Sequence, residues 1–156
     1  MSTSALPALI EALFTNATTA EGASPDLTVY LGWGVTSEPG DYLMIGVDNV
    51  LAPAPDTNGA HSEQEWAHTT GTARNEKGEV TCAAYSWNGD DDPKAAIDAA
   101  FATVAAVENM LRSNPSQGVA TVLWTSYGTA TDYSIQRGSD GASVVVVFKV
   151  FYKARI

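Results

Sequence analysis

The chain has 156 residues, 45% hydrophobic and 17% charged, enough for one domain with its own core (residues 1–156) and too few for two. Eighteen acids against eight bases leave a formal charge of -10, which excludes a protein that grips nucleic acid through its phosphates. Cys82 is the single cysteine, so an intrachain disulfide and a thiolate cluster for zinc or iron–sulfur are excluded by count.

Leu6, Leu9, Ile10, Leu13 and Phe14 follow the spacing of one helical face and predict a helix from about Ala5 to Asn16, with Ser4 as N-cap and Pro7 in the first turn. No basic run precedes these apolar residues and Glu11 interrupts them, so a secretory signal is not expected and a cytosol-made, soluble domain is. Leu27, Val29, Leu31 and Trp33 alternate as a half-buried strand does, and Leu43, Ile45 and Val47 repeat the pattern. From Asn49 to Glu65 there is no apolar period, and Pro53, Pro55, Asn58 and Gly59 predict a long loop, a kind of segment that often carries function. Strands near Trp66 to Arg74 and Glu79 to Trp87 are predicted to pair about an Asn75-Glu76-Lys77-Gly78 hairpin loop.

Asp90, Asp91 and Asp92 precede Pro93 at the start of a second helix, with Asp92 as N-cap and all three carboxylates near the positive end of its dipole. Ile97, Ala100, Phe101, Val104, Val107 and Leu111 form its predicted buried stripe, and Asn114-Pro115 ends it. Strands near Val119 to Tyr127 and Thr131 to Arg137 follow, then the turn Ser139-Asp140-Gly141 and a long final strand. Its run Val144 to Phe148, the longest unbroken stretch of aliphatic and aromatic residues, is far too short to cross a bilayer. The order helix, four strands, helix, three strands predicts an α+β fold, an antiparallel or mixed sheet of about six to seven strands with two helices packed on one face.

No catalytic constellation stands out. His61 and His68, with Glu63 and Glu65 between them, are seven apart and lack a third strong ligand, so they read as a solvated loop. Gly32-Trp33-Gly34 follows a strand, but Ser37 stands where a dinucleotide fingerprint needs its third glycine. The three aspartates lack calcium-loop spacing and read as helix capping. Cys82 sits among small apolar residues with no base nearby, an inert thiol, and Asn16-Ala17-Thr18 is a chance match to a glycosylation acceptor. There is neither a serine-nucleophile elbow nor a phosphate-cradling loop, so neither an enzyme nor a bound cofactor is expected.

The remaining signal concerns surfaces. In the final strand Val144, Val146, Phe148, Val150 and Tyr152 are all apolar, while the alternate positions pass from Val145 and Val147 to Lys149, Phe151, Lys153 and Arg155. The first 78 residues carry ten acids and two bases, the last 78 eight and six. Two readings stay open for this face: an ordinary solvated sheet surface, or a head-to-tail contact in which the basic strand end meets the acidic half of a second copy. Lys149, Lys153 and Arg155, with Pro53, Pro55 and Trp66 from the loop region, are the candidate subunit-interface residues.

The run from Arg74-Asn75-Glu76 to Trp87, then Gly89-Asp90, Val107-Glu108-Asn109-Met110-Leu111-Arg112, Asn114-Pro115-Ser116-Gln117-Gly118-Val119 and the closing Val144 to Val150 strand resembles the tail terminator family of long-tailed bacteriophages. The resemblance spans nearly the whole chain in element order and short words. It departs at Ser116-Gln117-Gly118, which keeps one glycine where the family often has Leu-Gly-Gly. It carries no catalytic residues. It implies a homo-oligomeric ring, six-fold in the better-known members, located at the head-proximal end of the virion tail, capping the tail tube and joining it to the head connector protein. The implied partners are further copies of the chain, the tail tube protein and the head-tail connector; genomic DNA passes through unbound, and no membrane is involved. A domain of this length has a radius of gyration of about 15 Å, too small to enclose DNA alone, so a conduit needs several copies. Six copies would carry -60, a lumen that repels phosphate. Termination then requires a ring that matches the tube on one side and withholds the sticky face on the other, with the Asn49 to Glu65 loop and the sheet edges as the matching surface. Two alternatives remain: a tail tube subunit or head-tail adaptor on the same plan, and a small α+β enzyme or ligand-binding domain centred on Trp66, His68 and Trp87.

Overall fold

In the computed structural model, which describes residues 3–54, 57–69 and 71–156, the chain runs α1 (Leu6–Ala17), β1 (Thr28–Leu31), β2 (Gly40–Ile45), β3 (Ala60–Trp66), β4 (Arg74–Asn88), α2 (Pro93–Ser113), β5 (Val122–Gly138) and β6 (Gly141–Arg155). Six strands form one mixed sheet in the order β1-β2-β4-β6-β5, with β3 also on β4, so the α+β expectation holds. Only the β1–β2 pair is parallel.

β6 is central because its even-numbered side chains, Val144 through Tyr152, are all apolar and can lie against a helical layer. They join Val80, Cys82 and Ala84 of β4, Leu43 and Ile45 of β2, Leu9 and Leu13 of α1, and Ala100, Val104, Val107 and Leu111 of α2 in one buried cluster. Burying a Leu or Val side chain is worth about 1.5–3 kcal/mol, so this face supplies most of the hydrophobic stabilisation. A second, smaller cluster on the other face holds Tyr42, Met44, Val47, Ala83 and Val147.

Two strand expectations are corrected. Residues 75–78 form no hairpin loop but lie inside β4, and the strand expected across 66–74 is replaced by a reversal between Trp66, where β3 ends, and Arg74, where β4 begins. Gly78 is there for closeness: a Cβ on it would stand 2.2 Å from the His61 carbonyl oxygen and 2.8 Å from the Tyr152 ring. The long loop ends at Gly59 rather than at Glu65, because residues 60–66 pair with β4 as β3 despite a sequence polar on both faces. Backbone pairing decided that segment where hydrophobic alternation was silent.

β2 and β3 lie end to end along one edge of β4, facing residues 82–87 and 74–80. The chain leaves that edge at Gly46, whose φ is +77°. It returns at Gly59, packed so closely that a Cβ there would stand 2.4 Å from the Gly46 carbonyl oxygen. The chain therefore leaves and rejoins that edge at touching points, Gly46 and Gly59. Val47 and Leu51 pack on the second cluster, and Asn49 Nδ2 donates to Asp132 Oδ2 of β5 at 3.0 Å. The excursion straps the open face of the sheet from one side to the other.

The two strands expected at 119–127 and 131–137 are one strand, β5, whose register on β6 shifts between Tyr127 and Thr131. β1 is shorter than its alternation suggested, ending at Leu31, so Trp33 lies beyond it. In α2 the buried residues include Ala96, Thr103, Ala106 and Met110, while Phe101 is exposed and Ile97 half-buried. The stripe is rotated toward small residues because α2 lies close on the sheet. At α1 the N-cap position is Ala5, whose backbone N–H donates to Glu76 Oε1 at 3.2 Å, while the Ser4 hydroxyl one residue earlier accepts the Leu6 N–H at 3.0 Å.

Candidate functional site

On the sheet face turned away from the helices, strand register sets out rows of side chains. His61 stands beside Glu79 and Phe151, Glu63 beside Lys77 and Lys153, and Glu65 beside Asn75 and Arg155. With Trp124 of β5, all of these residues except Arg155 line a trough of about 600 Å³. Two of its carboxylates, Glu63 and Glu79, are matched within the chain. Lys77 Nζ lies 3.3 Å from Glu63 Oε2 and His61 Nε2 3.6 Å from Glu63 Oε1. The Lys77 and His61 hydrogen bonds, in that order, hold the Glu63 carboxyl below its ordinary value. Lys149 pairs with Glu79, both half-buried, and Arg155 Nε donates to Asn75 Oδ1 at 3.3 Å.

Part of the basic strand end is thus partnered inside one chain, Lys149 by Glu79 and Arg155 by Asn75. Register against β4 puts Glu63 of β3 and Lys153 of β6 on either side of Lys77, and Lys149 pairs with Glu79 on the neighbouring strand. Lys153 and Arg155 remain exposed at the end of β6. Trp66 closes β3 with 67% of its surface exposed, the Arg74 guanidinium 5.8 Å from its ring centroid. Pro53 is exposed on the strap, and Pro55 lies outside the described residues.

Trp66, His68 and Trp87 are not brought together. Trp66 pairs with Arg74 at one end of β4 while Trp87 is near the other, about 43 Å away at strand rise, so no ligand site is centred on the three. His61 is on β3 and His68 in the turn that follows; among the described residues no group of three or more His, Cys, Asp or Glu could hold a metal ion. No described helix is long and apolar enough to cross a membrane. Of the three aspartates only Asp92 caps, its Oδ1 accepting from the Ala95 N–H at 3.2 Å. Asp91 instead forms a two-pronged pair with Arg137 at 2.7 and 3.0 Å, which ties the start of α2 to the end of β5 and holds the Asp91 carboxyl below its ordinary value. Cys82 is buried, and burial pushes its thiol up to about 12.

Two features escaped the sequence reading. The strap's anchor, Asn49 to Asp132, joins residues 83 apart with no local signal. Among the described residues ten large hydrophobic side chains are exposed, and eight of them lie near the β1 and β5 edges of the sheet: Leu31, Trp33 and Val35 by β1, and Phe101, Leu123, Trp124, Tyr133 and Ile135 by β5. Alternation had marked Leu31 and Trp33 as core; edge position is a tertiary property.

No protein-family model and no curated protein matches the chain. Among solved structures, a chain from the virion of a native gene transfer agent particle is similar to it at a TM-score of 0.55 and 14% identity, over 98% of this chain and 100% of that one. At that identity the likeness is one of fold, and it runs end to end.

Proposed function

We propose that the chain is a structural virion protein of a tailed, phage-like particle, which forms a ring at the head-proximal end of the tail tube, ends tube growth and joins the tube to the head connector. The observation that carries this is the end-to-end fold likeness to a chain of a gene transfer agent virion, over 98% of this chain and 100% of that one. The tail-terminator resemblance in element order and in the 74–87, 107–119 and 144–150 words supplies the particular role. The trough agrees with a structural part: Glu63 is held by Lys77 and His61, and Glu79 by Lys149.

In this reading the exposed end of β6, Lys153 and Arg155, with Trp66 at its corner and Pro53 on the strap, meets the adjoining component of the assembly. The chain's charge of -10, repeated around a ring, keeps phosphate from adhering to the channel.

The test is electron microscopy of particles made with and without the gene. Tubes of irregular, overrun length with no attached heads are expected in its absence, and rings at tube ends when purified protein is added back. Purified protein that polymerises into long tubes by itself would make it a tube subunit, and normal tails without it would overturn the reading.

A further inference from the structure

Among the described residues two outer edges of the sheet, β5 and β1, are unprotected and nearly free of charge, whereas the third, β3, carries Glu63 and Glu65. Among the described residues β5 pairs as a strand only with β6, which leaves its other backbone edge open; it runs from Val122 to Gly138, and residues 122–136 carry one charge, Asp132, which accepts from Asn49. No Lys or Pro blunts it, although long edge strands are usually protected in that way. β1 is the opposite edge, and residues 27–37 carry no charge at all. In a chain of charge -10 these are surfaces where a second copy can approach without like-charge repulsion.

The two edges also stand level. Following the registers across the sheet, Val29 of β1 leads through Leu43, Ala84 and Val146 to Tyr133 of β5, and Tyr30 leads through Met44, Ala83 and Val147 to Asp132. A copy joined edge to edge would therefore continue the sheet with little step along the strands. A repeated contact with rotation and no rise closes, whereas one with rise gives an open filament.

Each edge has an apolar ridge on a fixed base. By β1 it is Leu31, Trp33 and Val35: the Trp33 indole N–H donates to Asp48, the Tyr30 hydroxyl donates to the Val35 carbonyl at 3.2 Å, and Gly34 lies against the Tyr30 ring so closely that a Cβ would clash. By β5 it is Tyr133 and Ile135, with Tyr133 edge-on to Phe101 of α2 at 6.0 Å between ring centroids. Ridges already ordered lose little freedom on docking.

We infer that the β5 edge of one copy docks on the β1 edge of the next, Tyr133 and Ile135 against Leu31 and Val35, and that this head-to-tail contact builds the ring. The inference rests on the ring reading above and names its lateral interface.

The test uses full-length Val35→Cys and Ile135→Cys; the native thiol, Cys82, is buried. A flexible bis-maleimide should give cross-linked dimers from the mixture and from neither variant alone, and closed multimers from the double variant. Ile135→Glu should raise the concentration needed for oligomers by roughly tenfold or more without unfolding the monomer. Dimers from Ile135→Cys alone would reveal a two-fold β5–β5 contact and overturn the inference. Oligomers in light scattering with no cross-link in the mixture would also overturn it while leaving the ring reading standing. A monomer at every concentration, with no cross-link even on tubes, would sink both.

Discussion

The Tyr152 hydroxyl donates a 2.6 Å hydrogen bond to Glu76 Oε1 in the interior, joining the last strand to a carboxylate with no solvent exposure. The same carboxylate accepts from the Ser4 hydroxyl at 2.9 Å, the Ala5 backbone N–H at 3.2 Å and Gln64 Nε2 at 2.7 Å. One side chain thus holds β4, β6, β3 and the start of α1 together. A buried carboxylate is tolerated only when its lone pairs are filled, and here four donors fill them.

Replacing Glu76 with Ala should strand those donors and cost about 3 kcal/mol or more in urea unfolding, whereas Tyr152→Phe should cost roughly 1.5–3 kcal/mol. Burial first, and the Glu76 carboxylate second, raise the Tyr152 hydroxyl above its ordinary value. A raised acid is protonated in the folded state where the unfolded chain has lost its proton, so the Tyr152 contribution is whole below about pH 10 and declines as pH rises further. Melting temperature should therefore fall more steeply above that pH in the wild type than in Tyr152→Phe.

Gly78→Ala should detach β3. Its Cβ would meet the His61 carbonyl at 2.2 Å, a backbone atom that cannot rotate away. A loss of several kcal/mol is expected, with amide exchange accelerating first in residues 60–66. A fold as stable as wild type would mean that β3 is not held against β4 as described.

Asn49 should control the strap. Asn49→Ala removes the 3.0 Å bond to Asp132 and the Leu51 N–H acceptor, also 3.0 Å, and should cost about 1–2 kcal/mol. Limited proteolysis should then cut within residues 46–59 while the sheet stays intact. Asp132→Ala should reproduce half of this, since the Asn49 turn contact remains.

Lys149 and Lys153 lie on one strand face but should behave oppositely. Lys149→Glu places two carboxylates side by side with Glu79 and should cost on the order of 2 kcal/mol, recovered in the Lys149→Glu/Glu79→Lys exchange. Lys153→Glu with Arg155→Glu should change monomer stability by only about 0.5 kcal/mol. The second pair should instead weaken capping of tubes at low salt, read by light scattering; unchanged capping at both low and high salt would leave Lys153 and Arg155 as solvated surface.

Local chemistry alone located α1, α2 and the β5–β6 turn. Asp92-Pro93 sets where α2 begins, apolar spacing sets the face of α1, and Asp140-Gly141 permits the tight reversal, because each is decided by neighbours a few residues away. The alternation of β6 likewise announced a strand with one fully buried face. β3 was decided only by tertiary structure, since its residues are polar on both sides and become a strand because β4 offers an open backbone edge. Gly78 could be read as a turn residue or as a point of close approach, and only the arrival of His61 and Tyr152 against it selects the second. The site divides in the same way. The basic end of β6 was visible as a pattern, but the pairing of Lys149 with Glu79, the bond from Asn49 to Asp132 and the level placement of β1 and β5 bring together residues tens of positions apart, and sequence spacing carries no information about such contacts until the sheet order is set.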